Sequence, residues 1–329
     1  MPKDAFNREI DYLRISVTDR CNLRCVYCMP LEGLRFLPNA EFLTPAEIET
    51  VVRAAVAIGF RKFRLTGGEP TLRLDLIEII ERLAAIEGVG ELALTTNALL
   101  LDKLAIPLRT AGLSRVNVHL DSLNPATVER QMRWGSFARA WQGIAAAEAA
   151  GLTPIKLNSV VTAGYNEADV IDLARLTIER KWHVRFIELM PLGGGECATV
   201  SIKRYVSNIE TRGRIEATLG PLAELESNNP SDEARNFKLA GARGVIGFIS
   251  PVSEPYCGTC NRMRLTADGK FHLCLLNDDE MDVRKALRTN GGIEAVKRIL
   301  TRAVENKPTG HHLLEGRSTR ERSMYQIGG

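Results

Sequence analysis

Cys21-Asn22-Leu23-Arg24-Cys25-Val26-Tyr27-Cys28 sets three thiols in one short loop, with the spacing C-x3-C-x2-C, just after the apolar run Tyr12–Val17. Thiolates this close together can all reach a single iron–sulfur cluster, whose irons are held by cysteines. Three thiolates cannot saturate four irons, so one iron keeps an open coordination position, as catalytic zinc sites do and structural ones do not. The plain alternative is a structural zinc that borrows a fourth ligand. No His lies nearby, and zinc ligands usually come as separated pairs.

Outward from this loop, the hydrophobic period alternates between two and about 3.6 residues as far as Met190. Tyr12–Val17, Lys62–Leu65, Glu91–Thr95, Val116–Leu120, Ile155–Val161 and Val184–Leu189 read as strands. Between them lie helical stretches: Pro45–Ile58, Asp75–Ile86, Leu101–Ala111, Pro125–Met132 with Phe137–Ala150, and Asp169–Glu179. Thr44, Pro45 and Glu47 form a capping-box pattern at the first of these helices. Repeating βα units predict a parallel sheet with right-handed crossovers. Polar or reactive groups recur just after the strands: Cys21, Gly67-Gly68-Glu69, Thr95-Thr96-Asn97, Asp121-Ser122 and Glu188. A barrel gathers its strand ends at one mouth. The expected fold is therefore α/β, a partial (β/α)6 TIM-like barrel over 1–194, with a smaller C-terminal α+β extension over 195–329. In the extension, Gly193-Gly194-Gly195 reads as a loop, and Glu224–Arg235 as a polar surface linker. Val245–Ser250 and Lys270–Leu275 read as short strands.

The 329 residues are 45% hydrophobic and 25% charged, which excludes a disordered chain. Forty-three Lys and Arg against forty Asp and Glu argue against a nucleic-acid coat, although a local basic pocket stays open. No membrane span or secretory signal is visible, so a cytoplasmic protein is expected. An odd count of seven cysteines is poor evidence for disulfides there. Cys257, Cys260 and Cys274 form a second trio, C-x2-C-x13-C. A zinc ribbon would want a second C-x2-C pair, so this trio again suggests a cluster with an open iron. Cys197 stands alone and reads as structural.

The C-x3-C-x2-C loop with Tyr27 before its last cysteine resembles that of the radical S-adenosylmethionine enzymes. Gly67-Gly68-Glu69-Pro70 resembles their glycine-rich cofactor motif, where by itself it would pass for an ordinary turn. Over nearly the whole chain the sequence is similar to the branch that cyclises GTP in the first step of molybdenum cofactor biosynthesis. The resemblance implies a lyase with two [4Fe-4S] clusters. Cys21, Cys25 and Cys28 would hold one, which binds S-adenosylmethionine; Cys257, Cys260 and Cys274 would hold the other, beside GTP. A 5′-deoxyadenosyl radical would take hydrogen from ribose C3′, and the carbon radical would attack guanine C8. The product would pass to cyclic pyranopterin monophosphate synthase.

By the same resemblance, Tyr27, Gly68, His119 and Met190 contact S-adenosylmethionine; at His119 other members carry Ser. Arg14, Arg64, Thr95, Lys156, Arg262, Met263 and Arg264 fall at GTP. Arg pairs bidentately with phosphate oxygens and Lys acts as a point charge, so these types suit a triphosphate. The bland reading of each base is a solvated surface charge, and of Asp121 and Ser122 the start of a helix. An electron donor and a monomer or homodimer are implied as well. Lys307–Gly329 is polar enough to be a frayed end, yet Gly328 and Gly329 lack a Cβ and could thread into a crowded mouth. The rival reading is a radical peptide-modifying maturase with an auxiliary cluster, which would need a peptide-docking element. A zinc-dependent nucleic-acid module would need four-ligand sites and a basic face.

Overall fold

The computed structural model describes residues 1–192, 195–226, 231–289, 291–313, 319 and 321–328. Six strands alternate with helices from the N-terminus, as the periodicity requires. They are β1 (Tyr12–Ser16), α1 (Pro45–Ala57), β2 (Lys62–Thr66), α2 (Leu76–Ala84), β3 (Glu91–Thr96), α3 (Leu101–Thr110) and β4 (Arg115–His119). Then come α4 (Pro125–Met132), α5 (Phe137–Ala149), β5 (Lys156–Val161), α6 (Val170–Glu179) and β6 (His183–Glu188). The start of α1 shows how the chain encodes these units. Thr44 Oγ1 accepts from the Glu47 amide at 3.2 Å, and the Glu47 carboxylate accepts from the Thr44 amide at 2.8 Å. The helix then buries Ile48, Val51, Val52 and Ala55 along one stripe.

The last third comprises α7 (Gly195–Lys203), α8 (Asn208–Leu219), β7 (Leu222–Glu224), β8 (Arg235–Leu239), β9 (Val245–Ile249), β10 (Arg262–Leu265), β11 (Lys270–His272) and β12 (Glu280–Asp282). It ends in α9 (Arg284–Arg288), α10 (Gly292–Glu305) and the short α11 (Met324–Ile327). Its strands do not build a separate sheet. β9 continues the parallel array beyond β6, with His183 opposite Val245, and β10 lies parallel to β1, with Tyr12 opposite Arg262. The described strands form one sheet in the order β12-β11-β10-β1-β2-β3-β4-β5-β6-β9-β8-β7. The result is a partial barrel flanked at both edges by strands from the extension.

Alternation along each strand sorts the side chains. Leu13, Ile15, Phe63, Leu65, Val116 and Val118 enter the hydrophobic core, where burying each contributes about 1.5–3 kcal/mol. The opposite face carries Arg14, Arg64 and Arg264, which stand in register on β1, β2 and β10. Three local expectations are corrected. Glu224–Arg235 connects two strands, and its described residues are largely at the surface as expected, but Glu233 and Ala234 turn inward and are buried. Polar composition misleads there because Glu233 finds its partners inside the barrel. Gly195 opens α7, while Gly193 and Gly194 lie outside the described residues. The strand at Lys270 stops at His272, after its antiparallel pairing with β12 ends.

Candidate active site

The cysteine loop and the glycine turn are sewn together through the backbone. The Gly68 amide donates to Thr18 O at 2.8 Å and the Glu69 amide to Arg20 O at 2.7 Å. A Cβ on Gly67 would meet Thr18 O at 2.5 Å, and one on Gly68 would meet Arg20 O at 2.3 Å. Only glycine lets the two chains approach so closely. On the other side, the Arg24 and Val26 amides donate to Met132 O and Gln131 O at the end of α4. Glu69 is buried and fully used: it accepts from the Thr71 and Thr96 hydroxyls at 2.6 and 2.7 Å and from the Asn97 amide at 2.8 Å.

Cys21, Cys25 and Cys28 face a cavity of about 1370 Å³, counted to its open mouth. Burial pushes the Cys21 thiol up to about 12, and the Glu69 carboxylate adds to it. Burial and the neighbouring cysteines push Cys25 and Cys28 up as well. Among the described residues no three Cys, His, Asp or Glu side chains converge on one point as a single bound ion would need. A cluster asks for less, since each thiolate holds its own iron.

Beside the trio, Tyr27 donates its hydroxyl to Asp121 Oδ2 at 2.7 Å, which leaves its oxygen to face His119 Nε2 at 2.8 Å. Asp121 is fully buried; its other oxygen accepts from the Val160 amide at 2.7 Å, so the carboxylate is locked. Burial lowers the His119 pKa, but Asp121 raises it more, and the net direction is upward.

Arginines dominate the rest of the wall. Arg14, Arg64, Arg262 and Arg264 all line the cavity. Burial holds Arg64 down to about 10, and burial together with Arg14 and Arg262 holds Arg264 down to about 9. Arg14 Nη2 donates to Glu233 Oε2 at 2.5 Å, and Arg262 Nη1 to the same oxygen at 3.1 Å. Arg64 and Arg185 approach Glu233 Oε1 at 3.6 and 3.8 Å. Several polar atoms on this wall are buried with no hydrogen-bond partner: Arg14 Nε, Arg64 Nε, Thr95 Oγ1 and Asn158 Oδ1. Unpaired buried polar groups are costly, and all four belong to residues that line the cavity.

The second trio lies beyond the arginines. Cys257, Cys260 and Cys274 share a smaller recess with Met190, Tyr256, Arg262, Arg264 and Leu275, all of which also line the main cavity. Burial pushes the Cys260 thiol up, but Arg262, Lys307 and Arg8 outweigh it and bring it down to about 6. Burial raises Cys257 as well, but the side-chain and backbone hydrogen bonds and the charge of His311 together outweigh it and leave the thiol lowered. Arg8, from the N-terminal arm, donates to Cys257 O and Thr309 O, both at 2.8 Å.

The tail reaches both halves of the site. Gly328 O accepts from Arg264 Nη1 at 2.6 Å, and the Tyr325 amide donates to the Cys28 thiol. At φ +84°, a Cβ on Gly328 would meet Thr66 Cγ2 at 2.6 Å, so glycine is required by both the backbone and the crowding.

Comparison with known proteins agrees with this geometry. Residues 15–177 match the model of the radical SAM superfamily, and residues 182–313 that of Molybdenum Cofactor Synthesis C. The GTP 3′,8-cyclase of Pelotomaculum thermopropionicum is 48% identical over 327 residues, 99% of this chain and 100% of that one. That of Moorella thermoacetica is 46% identical over 329 residues, 99% and 100% of the two chains. The chain belongs to the GTP 3′,8-cyclase family. Among solved structures, methylornithine synthase matches with a TM-score of 0.51 at 16% identity, covering 64% of this chain and 62% of that one; this shows the fold alone.

Against this family, the sequence-predicted residues fall in four groups. Both cysteine trios, Tyr27, Gly68, His119, Met190, Arg14, Arg64, Thr95, Arg262 and Arg264 are brought to one connected space. Lys156 stands apart on β5, where burial, Arg185 and Arg115 hold its ammonium down to about 7. The Met263 side chain, on the alternate face of β10, is fully buried in the core, which leaves only its backbone for the cavity. Gly328 is in the mouth, while Gly329 lies outside the described residues. Three contributors were not foreseen. Asp121 is no mere helix start but the anchor of Tyr27, since α4 begins only at Pro125 with Asn124 as its cap. Arg185 could have been found from its place in the apolar strand Val184–Leu189, as Arg14 and Arg64 were. Glu233 gave no signal of its own.

Proposed function

We propose that this chain converts GTP into 3′,8-cyclo-7,8-dihydro-GTP, the first step of molybdenum cofactor biosynthesis, by radical S-adenosylmethionine chemistry. One observation carries the reading: a cavity lined by the first three cysteines and a recess lined by the other three share a wall that carries Arg262 and Arg264. Its chemistry fits the groups the family uses. Cys21, Cys25 and Cys28 would hold a [4Fe-4S] cluster with one iron open to S-adenosylmethionine, and Cys257, Cys260 and Cys274 would hold a second, facing GTP. When bound and reduced, the first cluster and S-adenosylmethionine supply a 5′-deoxyadenosyl radical.

The chain's own residues do the positioning. Gly67 and Gly68 bring the turn against the cysteine loop, where S-adenosylmethionine would be held beside Cys21, Cys25 and Cys28. The Tyr27–Asp121 hydrogen bond fixes the ring beside the last cysteine, and His119 presents a nitrogen at the same point. Met190 stands where the two recesses meet and would pack against both ligands. Arg14, Arg64, Arg262 and Arg264 supply fixed positive charge for a triphosphate, with the Thr95 hydroxyl on the same wall. The tail, held through Gly328, helps exclude water from a reactive carbon radical. An arginine-lined wall favours a polyanionic nucleotide over a peptide. An electron donor, the synthase that consumes the product and a cytoplasmic setting belong to the same reading, as does the division into a barrel over 1–194 and an extension over 195–329.

The test is product analysis under strict anaerobiosis with GTP, S-adenosylmethionine and dithionite after iron–sulfur reconstitution. The cyclised nucleotide should form from GTP and not from ATP, because a site built for a guanine edge leaves polar groups unpaired against adenine. Release of 5′-deoxyadenosine with no cyclised nucleotide would overturn the reading.

A further inference from the structure

Glu233 sits in the place where the triphosphate of the proposed substrate would have to lie. Its carboxylate is 8% exposed and faces four arginines from four different strands: Arg14 at 2.5 Å, Arg262 at 3.1 Å, Arg64 at 3.6 Å and Arg185 at 3.8 Å. A buried cluster of like charges is costly unless something neutralises it; here one carboxylate reaches all four, and Asp232 adds a second charge 3.9 Å from Arg185. The match is incomplete. Arg14 Nε, Arg64 Nε and Arg185 Nε remain buried without hydrogen-bond partners, so the cluster carries more donors than Glu233 satisfies.

We propose that Glu233 is a built-in competitor for the phosphate chain of the substrate. It keeps the arginines paired while the site is empty, and it sets the negative charge a nucleotide must bring to displace it. This rests on the assignment of the arginine wall to a triphosphate. A triphosphate carries several negative charges and many acceptor oxygens, whereas Glu233 brings one charge and two oxygens. A triphosphate therefore wins the exchange, and a monophosphate gains too little to drive the carboxylate out. The arginine wall alone would bind any nucleotide; Glu233 makes it selective for phosphate number.

Binding of GTP, GDP, GMP and inorganic tripolyphosphate to the reconstituted protein and to Glu233→Gln and Glu233→Ala tests this. In the wild type, affinity should fall steeply from GTP to GDP to GMP. Both variants should bind GTP about tenfold tighter or more, the scale of close charge-pair coupling. Their dependence on phosphate number should be shallower, which a purely structural role would not produce. Weaker or unchanged binding of GTP by both variants would overturn the proposal, since Glu233 would then be a substrate contact or a bystander. If neither variant folds, hydrogen exchange of the wild type decides. The Ser231–Ala234 amides should exchange faster when tripolyphosphate binds, and slower or unchanged exchange overturns the idea. Tripolyphosphate that displaces Glu233 while GTP gains nothing over ATP would uphold the competitor and refute the guanine assignment.

Discussion

The two cysteine trios have the same number of thiols and opposite surroundings. Cys21, Cys25 and Cys28 belong to one continuous loop, and burial leaves their thiols raised. The second trio is assembled from afar. Arg8, Lys307 and His311 come from the two ends of the chain and join Arg262 around Cys257 and Cys260, whose thiols are left lowered, while burial keeps the third, Cys274, raised. Spacing along the chain therefore predicts the ligands of a site much better than it predicts the field around them. The first loop is a local motif, whereas the second is a product of tertiary structure.

The largest effects should come from the cysteines themselves. Cys25→Ala should abolish 5′-deoxyadenosine formation and cyclised product alike. Replacing Cys257, Cys260 and Cys274 together by Ala should abolish only the product. Iron analysis after anaerobic reconstitution should give about eight irons per chain in the wild type and about four in either variant. Zinc at the second trio would break the comparison at once.

Next comes the tail, which touches both trios' surroundings. Deleting Gly328 and Gly329 removes the acceptor for Arg264 but no cluster ligand. Cyclised product should fall by about 100-fold through lost positioning, while iron content and S-adenosylmethionine binding stay unchanged. Equal loss of both ligands would show instead that the tail holds the fold together.

Gly68→Ala sharpens the contrast from the first trio's side. The new methyl would sit 2.3 Å from Arg20 O, a backbone atom with no room to move. The expected cost is about 1–3 kcal/mol in thermal or denaturant unfolding, as for other overpacked sites, with S-adenosylmethionine binding weakened and GTP binding retained.

The smallest effect reads the opposite electrostatics directly. In iron-free protein near pH 7.5, Cys260 with its pKa of about 6 is mostly thiolate, whereas Cys21, near 12, is almost wholly thiol. Iodoacetamide should label Cys260 far faster than Cys21, as thiolate fraction dictates. The absolute rate at Cys260 should fall as the pH drops below 6 and the thiolate takes up its proton, whereas its advantage over Cys21 should shrink only as the pH rises toward the Cys21 pKa. Peptide mapping by mass spectrometry measures it, and equal labelling would erase the distinction drawn between the trios.

The sequence disclosed whatever is local. The Thr44–Glu47 cap, the C-x3-C-x2-C loop and the Gly67-Gly68 turn depend on residues a few positions apart, and all three form as read. Arg14 and Arg64 were legible because a charge inside an apolar strand has to face a polar interior. What stayed hidden required knowing which distant segment comes back. Glu233 looks like any other acid in a polar stretch until β8 carries it against the arginines. Asp121 looks like a helix start until Tyr27 arrives from the cysteine loop. Met263 lies between two useful arginines in sequence, yet alternation turns its side chain the other way.

The pairing of β1 with β10 also bears on how a ribosome must deliver this protein. Tyr12–Ser16 emerges early with one edge meant for Arg262–Leu265, a partner made roughly 250 residues later, on the order of ten to fifty seconds at ordinary synthesis rates. During that interval the nascent barrel offers an open strand edge, the kind of surface that templates aggregation. The strand that closes it also bears two of the arginines on the cavity wall, so no truncated chain can finish its sheet and lack its substrate pocket. Completion of the fold and acquisition of chemistry are one event, near the end of translation.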